Sequence, residues 1–256
     1  MSDIVKAGSM LPQQYDYGKD SGAGLETSSS SELMIPFLVL LQDLSPQVIG
    51  SNDKAIPGAR AGKFLHSLTE EVLGESILFV PAYKEASYVE WVPRSEGGGF
   101  RGRYLESDPV IVRAKAQSQK FGKLTTEEGN QLQETFYLYG VIADDPEALR
   151  PVVIAFSSTK LKPFRRWISA IREHFFKPPV PPIYSHLVRV GSVREKNAYG
   201  TYFNITLAPA SGSLDSSLLS PDAQRYIAAR RLHETVKAGM ARTTGEAPES
   251  PPWNQA

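Results

Sequence analysis

The 256-residue sequence contains no cysteine. That excludes a disulfide framework, cysteine nucleophiles, iron–sulfur clusters and zinc–thiolate sites. No apolar run approaches the roughly 18 residues that would span a bilayer as a helix. Histidine is scarce: His66, His174, His186 and His233 lie far apart with no i, i+3 or i, i+4 pair, so neither a metal nor a cofactor is expected. The opening MSDIVKAGSM lacks the basic start and apolar stretch of a signal peptide. A cytoplasmic location away from membranes is therefore expected.

Net charge is also missing, with 28 basic residues against 28 acidic ones. The charges are nevertheless segregated. Residues 150–177 hold seven bases and one acid, residues 101–123 hold six bases and two acids, and residues 124–149 hold six acids and no base. Local fields, rather than the sum, decide whether a polyanion binds, although the same segregation fits two solvated surfaces.

A composition of 41% hydrophobic and 22% charged residues is that of a soluble globular chain. Residues 1–31 and 239–256 are rich in small and polar groups and are expected to be disordered, leaving one domain over 32–238. It begins with a short apolar run, residues 32–44, in which Pro36 fits near a helix start but not deep inside one. Strands are expected over 76–91 (long and bent, or two pieces meeting at Pro81), 134–143, 151–158, 184–193 and 201–207. The forty residues after the first strand read as a functional or mobile loop.

Two helices complete the pattern. Leu161, Phe164, Ile168, Ile171 and Phe175 recur at spacings of three and four, with Trp167 beside them, and predict a helix over 159–176 whose apolar face is buried. Ser158 or Thr159 would cap it, and Pro163 is tolerated in its first turn. A second helix is expected over 220–237, with Ser220 as N-cap and Pro221 at its first position. Strand, long loop, strand, strand, helix, strand, strand is the order of a five-stranded OB-like barrel, mainly β with α, whose helix between strands three and four plugs one end.

Three enzyme-like strings fail in context. Ser157-x-x-Lys160 and Tyr202-x-Asn204 look like parts of penicillin-recognising serine enzymes, but no Lys-Thr-Gly strand follows and the motif sits too late in the chain. GARAGK (residues 58–63) is one residue short of a P-loop, and Phe64 stands where a magnesium-binding hydroxyl is needed. Gly97-x-Gly99-x-x-Gly102 has the spacing of a dinucleotide fingerprint, but Pro109 interrupts the helix that should follow. No enzymatic activity is expected.

Binding residues stand out more clearly. GGGFRGRY (residues 97–104) sets Phe100 and Tyr104 around Arg101 and Arg103. KNAYGTYFN (residues 196–204) offers Lys196, Tyr199 and Tyr202, and the helix offers Lys162, Arg165 and Arg166. Single strands are held by such mixtures, with bases stacking on rings for about 1 to 3 kcal/mol each while cations track phosphates. Alternatively, the rings fold back on the body and the charges are solvated.

With this strand order and these two loops, about half the chain resembles bacteriophage single-stranded DNA-binding proteins of the OB-fold kind. The resemblance implies a protein that coats single-stranded DNA during replication or recombination in the host cytoplasm, in contact with replication proteins and open to self-association. Such proteins often recruit partners through an acidic C-terminal tail ending in an aromatic residue. Here Glu246 and Glu249 are the tail's only acids, and Trp253 is three residues from the end. The rival expectation is a protein–protein or structural accessory module that uses Tyr83, Tyr88 and Trp91 as a docking surface.

Overall fold

The computed structural model describes residues 34–118, 124–198 and 200–243. The stretches expected to be disordered, 1–31 and most of 239–256 with its Glu246, Glu249 and Trp253, lie outside the described residues, as does Tyr199.

The backbone of the fold is a pair of long antiparallel strands, β4 (Ser76–Trp91) and β7 (Gln131–Ile142), paired from Phe79↔Ile142 to Trp91↔Gln131. The first is a single strand of 16 residues. Pro81, which lacks an N–H for the ladder, sits where the register shifts, so the bend expected there is a bulge rather than a break. Opposite it lies Gly140, where a Cβ would come within 2.4 Å of the Val80 carbonyl and 2.2 Å of the Phe79 ring.

The remaining strands flank this pair differently at its two ends. Near the start of β4 the order is β10 (Gly200–Pro209), β9 (Val188–Asn197), β4, β7, β8 (Arg150–Ser157). Near its end, β5 (Phe100–Leu105) takes the edge that β9 left, and the two-residue β6 (Leu124–Thr125) pairs with β7.

Alternation along β4 and β7 builds a core on each face. Ile77, Phe79, Leu138 and Ile142 join Phe164, Trp167 and Ile171 of α2 (Leu161–His174). Each of those three helix side chains contributes about 2 to 3 kcal/mol of burial, which holds α2 against the sheet. On the opposite face Val80, Ala82, Val141 and Ala143 pack against Ala229 of α3 (Gln224–Lys237). His233 of α3 donates from Nδ1 to the Ala82 carbonyl at 2.9 Å. Ala82 falls between the residues of β4 that pair with β9 and those that pair with β5.

The fold is thus mainly β with helices, but the expected closed barrel is not formed: the sheets are open. Closure would require β8 and β10 to pair. Instead, residues 36–42 bond to both. Val153 of β8 donates its N–H to the Pro36 carbonyl at 2.9 Å. The Gln42 side chain bonds the Phe203 N–H at 2.8 Å and the Phe203 carbonyl at 2.9 Å. This apolar segment is strand rather than helix: β1 (Met34–Ile35) pairs with β11 (Arg242–Thr243), and β2 (Leu38–Leu40) with β3 (Phe64–His66).

The expected long loop also carries structure of its own. Pro109 opens α1 (Pro109–Gln117), with Asp108 as N-cap accepting from the Val110 N–H at 3.0 Å, so the proline begins a helix instead of interrupting one. Ile111 and Ala114 of α1 pack on Tyr88 and Leu132. The other helices start differently from expectation. No side chain caps α2, which grows out of a 3-10 turn at Ser158–Lys160, and α3 starts at Gln224.

Candidate nucleic-acid interface

Of the ten residues singled out from the sequence, the nine that are described fall into two groups. β5 pairs with residues 87–91 of β4, and β9 pairs with residues 76–79 on the same edge. The intervening strand spans about 25 Å at a rise of about 3.3 Å per residue. The GGGFRGRY and KNAYGTYFN segments therefore belong to opposite ends of the sheet.

The β5 group is tied into the body. Arg103 lies with its guanidinium 3.9 Å from the Tyr137 ring centroid, donates to Ser87 Oγ at 3.1 Å and pairs with Glu85. Burial opposes its charge, but Glu85, with Tyr137 and Tyr139, outweighs burial and holds the guanidinium above its ordinary pKa. The Tyr104 hydroxyl donates to Glu90 Oε2 at 2.7 Å, and this bond pushes its pKa up to about 12. Glu90 is buried, and its other oxygen accepts from Asn130 Nδ2 at 2.6 Å. Phe100 packs edge-on against Trp91. Arg101, 3.9 Å from Glu90, is the most exposed member of the group.

The docking surface imagined on β4 is closed as well. Tyr88 and Trp91 are buried, and Tyr83 packs against Tyr139 and His233.

In the second group the helix and the hairpin are joined, and Tyr202 and Lys162 meet at Glu195. Asn204 of β10 donates from Nδ2 to the Thr159 carbonyl at 3.4 Å, joining the β9–β10 hairpin to the start of α2. Glu195 Oε2 accepts from the Tyr202 hydroxyl at 2.7 Å and from Asn204 Nδ2 at 3.0 Å. These two bonds, helped by the Lys162 charge, hold the Glu195 carboxyl below its ordinary pKa. Lys162 and Arg166, four residues apart on α2, share one exposed face. Arg165 is directed elsewhere, to Glu134 of β7 at 2.5 Å and over the Phe136 ring at 5.9 Å. Arg166, Lys196 and Arg194 are exposed, with no salt bridge to another described residue.

Sequence reasoning passed over three basic residues here. Arg194 lies directly across from Phe203, whose ring occupies the space where Gly62 would carry a Cβ. Arg60 and Lys63 flank that glycine. Nothing local in the sequence links residues 60–63 to the hairpin, because the contact is made through the missing side chain of Gly62.

The enzyme-like strings acquire plain positions. Ser157 ends β8 with a buried Oγ that has no hydrogen-bond partner among the described residues, and Lys160 closes the 3-10 turn. Among the described residues, no cluster of three or more His, Asp or Glu side chains has the arrangement to hold a metal ion. No described helix is long and apolar enough to cross a membrane.

The sequence signature of the Pam3 phage gp34-like proteins matches residues 5–242. The chain belongs to that family. The match takes in the β5 extension, α2 and the β9–β10 hairpin alike, so the basic surface lies wholly within the family's span. No curated protein and no solved structure matches the chain.

Proposed function

We propose that this phage-family protein binds single-stranded DNA on the surface formed by the start of α2 and the β9–β10 hairpin, and that it serves phage DNA replication or recombination. The observation that carries the reading is the joining of two adjacent elements, each with exposed cations. Lys162 and Arg166 come from α2, Arg194 and Lys196 from one face of the hairpin, and the half-exposed Tyr202 ring lies on its other face, beside Glu195 and on the side that Lys162 approaches. Cations of this kind grip phosphates, and an aromatic face accepts a base of any sequence. β5 takes no part, apart from Arg101 as a peripheral cation.

The strand pairings favour an opened OB-type barrel. β4 pairs with both β7 and β9, β8 follows β7, and α2 separates β8 from β9. Residues 36–42 stand where the third and fifth strands of a closed barrel would meet.

A fluorescence-anisotropy titration with labelled oligo-dT at two salt concentrations tests the function. Binding at low salt that weakens steeply as salt rises is expected, because phosphate contacts release counterions. Absence of binding at low salt overturns it.

A protein-docking role is the second reading. It is favoured by Leu105 on β5 and Val112 on α1, each 54% exposed at the end of the sheet away from the hairpin. Loss of self-association or partner binding on changing Leu105→Lys, with DNA binding absent throughout, would select it.

A further inference from the structure

Glu195 is out of place on a surface that holds phosphate. A carboxylate there repels the backbone it is meant to admit, unless it has a donor to accept from. Only Oε2 is occupied, by the Tyr202 hydroxyl and Asn204 Nδ2. Oε1 has no hydrogen-bond partner among the described residues, and the residue is half-exposed. Its position is fixed from both sides. Asn204 is buried and also bonded to the Thr159 carbonyl, and Tyr202 is Glu195's direct cross-strand neighbour.

An ionised carboxylate is acceptor-only. Beside a ring on which a base stacks, its open oxygen meets the base edge. Cytosine presents an N4 amino donor on that edge, whereas thymine presents the O4 acceptor in the same place. We propose that Glu195 reads the exocyclic amino group of the base stacked on Tyr202, giving the strand-binding surface a preference for cytosine over thymine. This rests on the single-strand reading above and adds a compositional preference to a grip that otherwise tolerates any sequence. Tyr202 and Asn204 then act as positioning residues for the carboxylate, and Tyr202 also supplies the stacking face.

The test compares dC and dT oligonucleotides of equal length on the full chain, by anisotropy at low salt, for the wild type, Glu195→Gln and Tyr202→Phe. The wild type should bind dC about five- to tenfold more tightly, within the range of a good base-edge contact. Glu195→Gln, which offers an amino donor as readily as a carbonyl acceptor, should bind both equally and more tightly overall, since a negative charge has gone. Tyr202→Phe keeps the ring but frees the carboxylate, so it should retain binding and lose part of the preference. Equal wild-type affinity for dC and dT overturns this inference and leaves the binding surface standing, as does a preference that survives Glu195→Gln. Failure to bind either strand overturns the single-strand reading and this inference together.

Discussion

The guanidinium of Arg103 lies 3.9 Å from the centroid of the Tyr137 ring. With Glu85 and Ser87 completing its contacts, this arginine braces β5 against β4 and β7 and is not available to a ligand. Arg103→Ala should therefore lower stability by about 2 kcal/mol, from the lost cation–π contact and charge-assisted hydrogen bonds, and leave DNA affinity unchanged. Urea denaturation and anisotropy on the same preparation separate the two effects. A loss of affinity at full stability would return Arg103 to the interface.

Gly140 answers a second question of fit. With the Phe79 ring and the Val80 carbonyl occupying the space of a Cβ, Gly140→Ala forces the β4–β7 ladder apart at its bulge. Overpacking of this kind typically costs about 1 to 3 kcal/mol, and a rigid backbone neighbour favours the upper end. The urea midpoint should fall correspondingly, and an unchanged midpoint would contradict the packing.

The pH dependence of stability follows from two buried histidines. Burial lowers the pKa of His186 below its ordinary 6.5, against the opposing effect of the Ile183 and Pro182 carbonyls. Burial, assisted by Arg150, does the same to His66. Below pH 6.5 the unfolded chain binds protons that the folded chain refuses. The stability these neutral rings contribute is thus fully present above pH 6.5 and is lost as pH falls through their folded values. Urea midpoints should drop between pH 7.5 and 5, and His186→Gln should flatten part of that slope; a midpoint that rises over this range would contradict it.

Local periodicity made parts of the fold legible. The 3–4 spacing of Phe164, Trp167 and Ile171 announced α2, and the β-branched and aromatic run at 76–91 announced β4. Punctuation residues misled where their context was tertiary. Asp108-Pro109 reads as a break by string but is a cap and first turn by geometry. The glycines around Phe100 suggest a loop, yet pairing with β4 makes residues 100–105 a strand.

Barrel closure is the feature least legible in the sequence. It depends on whether residues 36–42 insert between β8 and β10, and no sequence period records that. The candidate site shows the same limit. Composition found the cations, but which of them are free is decided by acids distant in the chain: Glu85 for Arg103 and Glu134 for Arg165.

The proposed grip on single-stranded DNA rests on the cations of α2 and the β9–β10 hairpin. Its most direct test is the salt dependence of oligonucleotide affinity in the wild type and in a Lys162→Gln, Arg166→Gln, Lys196→Gln triple variant. Each phosphate contact to a single strand contributes about 0.7 to the slope of log affinity against log salt. The triple variant should bind far more weakly at low salt, with a slope shallower by about 2. Equal affinity and equal slope in the two proteins, or no binding by either, would overturn the proposed grip.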